Sequence, residues 1–202
     1  MSDRYTLYGR QGGGSIVVQF LLETFGIAHD VVWVSQEQAA QPDYKRINPS
    51  GKIPALVLPD GTIVLESAAI CLHLTNTNPG LSPTIGSSAH AKYLQWMVFL
   101  SANVYEAILR VYYAHRYSAG GDAHAADVKQ QALLHIDHHL SVMEAVLAPY
   151  LLGETLTAAD LYLVMLLSWL PDGVPESMPK LKHLAETAGK LPIVARVLAQ
   201  NA

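Results

Sequence analysis

The chain carries two different hydrophobic patterns, and the change between them restricts its fold more than any other feature. In the first third, short runs of strand-forming residues alternate with helical periodicity. Later, apolar residues recur only at helical spacing, as in the stripe Leu133, Ile136, Leu140, Met143 and Leu147. Asn76–Ser88 contains the prolines and glycines of a linker. We therefore predict an α/β domain over residues 1–78 and an all-α domain over residues 88–202.

The order of elements in the first domain predicts a small mixed sheet. The strand signals are Tyr5–Tyr8, Val31–Val34, Ala55–Leu58 and Ile63–Leu65. The helical signals are Ile16–Phe25, Gln36–Tyr44 and Ala68–Leu74. A strand–helix–strand start indicates a parallel pair, and the turn residues Pro59–Thr62 join the last two strands as a hairpin. The order β-α-β followed by β-β-α is that of a thioredoxin-like domain.

Charge, hydropathy and cysteine content exclude several classes of protein. Among 202 residues, 13 Lys and Arg face 17 Asp and Glu, and no basic cluster indicates a nucleic-acid partner. The apolar run Leu161–Leu170 is about half the roughly 20 residues of a membrane span, so we expect a buried helix there. The polar start lacks a signal peptide's apolar middle, and the single cysteine, Cys71, cannot form an internal disulfide. We expect a cytoplasmic protein that binds neither nucleic acid nor membrane.

Four segments together resemble the glutathione transferase family, and the resemblance covers nearly the whole chain. Asn48–Pro54 followed by Glu66 and Ser67 is similar to its N-terminal domain, as is Tyr5–Ser15. Gly153–Asp160 looks like the helix-capping signature of its C-terminal domain, and Pro179–Leu184 with Leu191 and Pro192 resembles the usual ending of that domain. The bacterial serine- and cysteine-type classes are the most similar. In the capping signature, Thr157 and Asp160 can cap each other's backbone N–H groups, so we interpret it as folding machinery.

The resemblance implies a homodimeric, cytoplasmic detoxification enzyme with the glutathione transferase fold. Glutathione would be the co-substrate, no metal would be needed, and the thiolate would be transferred to small hydrophobic electrophiles. Two alternatives remain open. One is a non-catalytic protein of the same fold that binds a ligand or a partner. The other is a glutathione-dependent peroxidase or isomerase.

The resemblance also assigns glutathione-binding roles. It implies a cis peptide bond before Pro54, so that the backbone of Ile53 can pair with the cysteinyl part of glutathione as an added strand would. Glu66 would face the γ-glutamyl ammonium, while Ser67 and the helix N-terminus would hold the neighbouring carboxylate. Lys52 would reach the glycyl carboxylate. Weaker candidates for that carboxylate are Gln38 and Lys45.

The residue that activates the thiol stays open between three alternatives. Lowering a thiol pKa by about two units needs about 2.7 kcal/mol, which one hydroxyl donor at a helix start can supply. Ser15, which opens the first helix after a glycine-rich turn, is the leading candidate, and Tyr8 at the end of the first strand is the second. Backbone donors alone, or no activation, is the third. Gly14 stands where cysteine-type members carry cysteine, which argues against disulfide exchange.

The acceptor substrate is expected between the domains, against the first long helix of the α domain. Tyr105, Tyr112 and Tyr113 on this helix could line an apolar pocket that contains a few hydroxyl groups. Packing alone would also explain Tyr105, and His115 is a weaker candidate. The helical trio His135, His138 and His139 does not have the sequence of a zinc-protease helix, and we predict no metal site there. Cys71 is interpreted as inert packing.

Overall fold

The computed structural model describes residues 4–201, which separate into two compact units. One unit holds the residues up to Ser82 together with those from Lys190 onward, and the other runs from Pro83 to Gly189. The first unit is a four-stranded sheet with helices and the second is helical, so the predicted fold class is confirmed. The function assigned to each domain stays a prediction.

The sheet of the first unit has the strand order β2-β1-β3-β4. Its strands are β1 (Tyr5–Gly9), β2 (His29–Trp33), β3 (Ala55–Val57) and β4 (Ile63–Leu65). β1 pairs with β2 in parallel, while β3 is antiparallel to both β1 and β4. Tyr8 in β1 lies opposite Val32 on one side and Ala55 on the other. The predicted hairpin and the predicted parallel pair are therefore both present.

Five helices surround this sheet or continue from it. They are α1 (Ser15–Thr24), α2 (Gln36–Ala39), α3 (Pro42–Lys45), α4 (Ser67–Thr77) and α10 (Pro192–Gln200), of which the last follows the second unit in the chain. α1 packs against α4 and is buried from Ser15 to Leu22. The single helix predicted over Gln36–Tyr44 is two short ones, because Pro42 starts α3 where its missing N–H costs nothing.

The last helix belongs to the first unit, whereas the sequence suggested one helical domain to the end of the chain. α10 packs against α1 and buries Val194 and Val197. The Asn201 side chain donates to Gln19 of α1 at 2.8 Å, and Arg196 forms an ion pair with Glu23. An amphipathic helix can cover either neighbour equally well, so its periodicity alone does not indicate which unit it joins.

The second unit is a set of helices around a buried central one. Its α-helices are α5 (Ser88–Phe99), α6 (Glu106–Tyr112), α7 (Ala125–Val146), α8 (Ala158–Leu167) and α9 (Pro179–Gly189), with a π-helical stretch, Leu100–Tyr105, between α5 and α6. α8 is buried along its whole length, as predicted for its apolar run. The α7 stripe is confirmed except at Leu133, which is 39% exposed while Ala132 is buried. Across residues 4–201, no helix has the length and apolar character to cross a membrane.

Candidate functional site

The loop before β3 is held by a buried polar network. The Asn48 side-chain NH₂ donates to the carbonyl of Lys52 at 2.7 Å, and the Tyr44 hydroxyl donates to the same oxygen at 2.8 Å. The Asn48 amide oxygen accepts from the backbone N–H and the hydroxyl of Ser50 at 3.0 and 2.7 Å. Burial raises the pKa of Tyr44 to about 12, so its hydroxyl remains a donor at neutral pH. These bonds fix the position of the chain that enters β3.

The backbone of Ile53, the residue after Lys52, forms no hydrogen bond to the residues that the structure describes. No group within residues 4–201 bonds to its N–H or its C=O, although the loop on one side and the strand on the other are held. The Ile53–Pro54 peptide bond is cis, as the resemblance implied. Because backbone polar groups are almost always paired, this segment is a ready site for an extended ligand.

Glu66 lies beside this segment at the end of β4. Ala55 of β3 pairs with Leu65 of β4, so the next opposed positions of this antiparallel ladder are Pro54 and Glu66. Glu66 has φ 66° and ψ 116°, a conformation that is costly for any residue except glycine. Its carboxylate is exposed and has no partner among the residues that the structure describes. Ser67, which is buried, begins α4 immediately after it.

Ser15 occupies a different environment from the one expected of a thiol activator. Its side chain is fully buried, its hydroxyl donates to the carbonyl of Arg10 at 3.1 Å, and it accepts from the Arg10 N–H at 3.2 Å. A Cβ at Gly9 would lie 2.8 Å from the Ser15 Oγ, so this packing needs a glycine there. The helix N-cap is Gly14, and Ser15 is the first residue of α1. This geometry favours a structural role, and the activating role stays a prediction.

Tyr8 is the predicted candidate whose hydroxyl is available. Its ring packs edge-on against Tyr44, with the ring centroids 5.9 Å apart, and it contacts the small cluster of Val34, Ala39 and Tyr44. Ile53 packs against the same cluster. In the described part of the chain the Tyr8 hydroxyl bonds to nothing. The structure therefore brings Tyr8 and Ile53 to one face of the sheet.

The three candidates for a carboxylate contact differ in how they are used. Gln38 closes the capping box at the start of α2, where its side chain accepts from the Ser35 N–H at 2.8 Å. Lys45 ends α3 and is exposed. Lys52 is exposed, and its ammonium forms no ion pair with any residue from 4 to 201. Lys45 is likewise without an ion pair in that range, so what distinguishes Lys52 is its place directly before Ile53.

Two parts of the chain match known domains of one family. Residues 15–77 match the glutathione S-transferase N-terminal domain, and residues 102–188 match the C-terminal domain. The chain belongs to the glutathione S-transferase family. The sequence resemblance is thereby confirmed, and the protein is of the glutathione transferase type.

Full-length relatives agree with this assignment. The chain is 27% identical to the uncharacterized GST-like protein YncG of Escherichia coli K12, over 96% of this chain and 97% of YncG. Its fold matches a glutathione transferase homologue from Sulfitobacter with bound glutathione at a TM-score of 0.90 and 28% identity, over 98% and 99% of the two chains. A sphingomonad glutathione S-transferase complexed with glutathione matches at a TM-score of 0.83 and 26% identity, over 97% and 98%.

Of the three predicted acceptor-site tyrosines of this transferase-family chain, Tyr105 precedes α6, Tyr112 ends it and Tyr113 follows it. The Tyr105 ring packs edge-on against Trp169 at 5.2 Å between centroids, and the Tyr112 hydroxyl donates to the Trp169 carbonyl at 2.7 Å. Tyr113 instead stacks under Arg116, whose guanidinium carbon is 4.1 Å from the ring centroid. The structure thus brings Tyr105 and Tyr112 together through Trp169, which was not predicted from the sequence. The Trp169 indole N–H is buried and unpartnered within residues 4–201.

The other titratable residues singled out in the sequence have local explanations. The His139 ring contacts the rings of His135 and His138. Burial, followed by the charge of the two neighbours, lowers the pKa of His139. Among the described residues, no group of three or more His, Cys, Asp or Glu side chains could hold a metal ion. Cys71 is fully buried in α4, as predicted, and burial raises its pKa.

Proposed function

We propose that this protein binds reduced glutathione on its first unit and transfers the thiolate to small, apolar electrophiles. The observation that carries the proposal is the backbone of Ile53, which has no hydrogen-bond partner among residues 4–201 and lies between a hydrogen-bonded loop and β3. A peptide in extended conformation can form hydrogen bonds with both the N–H and the C=O of Ile53. The bound glutathione of the Sulfitobacter homologue and of the sphingomonad transferase supports the same ligand for this chain.

The proposed binding mode uses the register of β3 and β4. The cysteinyl residue pairs with Ile53 as an added antiparallel strand, so the γ-glutamyl end lies toward Pro54 and Glu66. There the free Glu66 carboxylate faces the ligand ammonium, and Ser67 with the N-terminal end of α4 holds the α-carboxylate. The glycyl end then lies toward Lys52. The Lys52 ammonium has no ion-pair partner within residues 4–201, so it can pair with the glycyl carboxylate.

Thiolate formation is assigned to Tyr8, with Ser15 as the alternative donor. Ser15 would have to give up its bond to the Arg10 carbonyl before it could donate to sulfur, whereas the Tyr8 hydroxyl has no hydrogen bond to any residue that the structure describes. The backbone N–H groups of Gly14 and Ser15 at the start of α1 also have no acceptor within residues 4–201. A hydrogen bond to a thiolate is worth about 1.5–3 kcal/mol, or roughly one to two pKa units.

A second function, glutathione binding without activation, is favoured by the buried and engaged hydroxyl of Ser15. Titration with glutathione at several pH values, followed by thiolate absorbance, separates the two functions. An enzyme gives a saturable signal with an apparent pKa below that of the free thiol. Binding by calorimetry without this signal would establish the carrier instead.

Variants of the two hydroxyl residues locate the donor. We expect Tyr8→Phe to raise the apparent pKa of the bound thiol by at least about one unit. Tyr5→Phe, a tyrosine of the same strand, is the matched control and should leave it unchanged. If Tyr8→Phe has no effect and Ser15→Ala raises the pKa, the donor is Ser15. If neither variant changes it, the backbone donors are sufficient.

The remaining parts of the proposal concern the acceptor and the assembly. Tyr105, Tyr112 and Tyr113 are assigned to recognition of the electrophile, because their rings add apolar surface and hydroxyl donors. A homodimer in the cytoplasm with a role in detoxification is proposed from the family alone. Light scattering measures whether the protein is a homodimer. Turnover of a panel of electrophiles tests the role in detoxification.

A further inference from the structure

The turn after β1 is built around the backbone of Arg10. The Arg10 N–H donates to the Ser15 Oγ, and its carbonyl accepts from the Ser15 hydroxyl and from the N–H of Gly13 at 3.0 Å. A Cβ at Gly13 would lie 3.1 Å from this carbonyl, so glycine allows the turn to close tightly. Three hydrogen bonds therefore fix the point from which the Arg10 side chain leaves the backbone.

The Arg10 side chain is half-buried and mostly unpartnered. Its Nε donates to the Val34 carbonyl at 3.2 Å. Within residues 4–201, its two terminal nitrogens have no hydrogen-bond acceptor and no carboxylate at ion-pair distance. A guanidinium has five N–H donors in a planar fork that matches a carboxylate. Partly removing such a cation from water is costly unless an anion pairs with it.

Arg10 also lies on the side of the sheet that carries the candidate site. The Val34 N–H donates to the Gly9 carbonyl and so extends the pairing of β1 with β2. Arg10 follows β1, and its Nε bond to the Val34 carbonyl brings its side chain beside the cluster of Val34, Ala39 and Tyr44, against which Tyr8 packs. The positive charge of Arg10 opposes the burial that raises the pKa of Tyr44. The guanidinium is therefore within electrostatic reach of the hydroxyl that holds the Lys52 carbonyl.

The proposed binding mode determines which end of glutathione comes to this place. With cysteine opposite Ile53 and the γ-glutamyl group toward Glu66, the glycyl residue lies opposite Lys52. Tyr44 is bonded to Lys52, and it packs in one cluster with Val34, whose carbonyl accepts from Arg10. We propose that the Arg10 guanidinium binds the glycyl carboxylate of glutathione through a two-pronged hydrogen-bonded ion pair. This inference rests on the proposed glutathione function.

Three ligands and one substitution test the assignment by calorimetry at constant low salt. S-methylglutathione has the glycyl carboxylate but no thiolate, the C-terminal amide of γ-glutamylcysteine has the thiol but no such carboxylate, and glutathione has both. We expect Arg10→Met to weaken S-methylglutathione and glutathione about 10- to 100-fold, as for a lost charged hydrogen bond, and the amide less than about threefold. Arg46→Met, at an exposed arginine paired with Asp43, is the matched control and should change none of the affinities.

Two patterns would overturn the assignment. Equal weakening of all three ligands would indicate a general structural defect. Weakening of glutathione but not of S-methylglutathione would mean that Arg10 acts on the thiolate. If the unaltered protein binds none of the three ligands, the proposed function fails, and the role of Arg10 fails with it.

A comparison of ligands on the unaltered protein does not depend on the folding of a variant. Glutathione with an esterified glycyl carboxylate should bind about 10- to 100-fold more weakly than glutathione, since it lacks the charge that Arg10 would pair with. Equal affinity of the ester and the acid would contradict the proposal. Arg10→Lys, which keeps the charge and loses the fork, should recover only part of the affinity.

Discussion

Two buried polar networks, one in each unit, differ in how completely they are satisfied. In the helical unit, the Asp160 carboxylate accepts three hydrogen bonds of 2.8 Å, from the N–H of Leu151 and from the N–H and hydroxyl of Thr157. Burial raises the pKa of Asp160, and these donors oppose that rise. The network closes the capping box of α8. Both oxygens of the carboxylate are used within the unit.

The polar network of the first unit adjoins groups that have no hydrogen-bond partner within residues 4–201. Tyr44 and Asn48 satisfy the Lys52 carbonyl, but within residues 4–201 the backbone of the following Ile53 and the carboxylate of Glu66 have no partners. Both networks hold a loop against a helix or strand. The difference indicates that a closed polar network stabilises the fold, whereas one that ends in unpaired groups prepares a surface for a ligand.

The largest expected effect follows from breaking the closed network. Asp160→Ala removes the common acceptor of three buried donors, so we expect it to lower the free energy of unfolding by about 3 kcal/mol. Urea denaturation measures the change. In the fraction that remains folded, glutathione affinity should be unchanged, because no group of the first unit is altered.

An exposed aspartate gives the control for this prediction. Asp137→Ala, on the solvent side of α7, should change the free energy of unfolding by less than about 0.5 kcal/mol. If Asp160→Ala is too unstable to purify, Asp160→Asn keeps one acceptor and should give an intermediate loss. A stable Asp160→Ala protein with impaired glutathione binding would reverse the proposed contrast.

A smaller effect of a different kind is expected from the open network. Asn48→Ala removes the bonds to Lys52 and Ser50, so it should lower the free energy of unfolding by about 2 kcal/mol. Unlike the change at Asp160, it should also weaken glutathione binding, because Ile53 loses part of its support. Urea denaturation and calorimetry measure the two effects.

Asn103→Ala, at an exposed asparagine, is the control and should alter neither the stability nor the affinity. An Asn48 variant with full glutathione affinity would show that Tyr44 alone fixes the loop.

Local signals in the sequence predicted the elements well, and long-range packing explains the failures. The α8 cap and the β3–β4 hairpin depend on residues a few positions apart, so their patterns were sufficient. The membership of α10 depends on contacts such as Asn201 with Gln19, which are far apart in sequence. No periodicity contains that information.

In the candidate site, too, some residues were predicted from local sequence patterns, whereas others depend on the folded structure. Ile53, Glu66 and Ser67 were predicted from two short segments and their family resemblance, and their roles in glutathione binding stay predictions. Arg10 was not, because its interest comes from the bonds that its guanidinium lacks, which only the fold reveals. The position of Arg10 directly after the first strand was a usable signal, since sites in such sheets gather at the strand ends. Ser15 had the expected position and an unexpected partner.

The smallest expected effect has opposite signs for stability and for binding, and it separates the two networks most directly. Glu66 holds φ 66° and ψ 116° at a cost that a glycine would not bear. Glu66→Gly should therefore raise the free energy of unfolding by about 1 kcal/mol while it weakens glutathione binding, because the carboxylate that faces the ammonium is lost. Glu66→Ala is the matched control, since it loses the same carboxylate and keeps the strained Cβ. Thermal unfolding and calorimetry should show both variants binding weakly and only the glycine variant more stable. A glycine variant less stable than the original protein would mean that Glu66 supports the fold. The proposed contrast between a polar network that stabilises the fold and one that prepares a ligand site would then be wrong for Glu66.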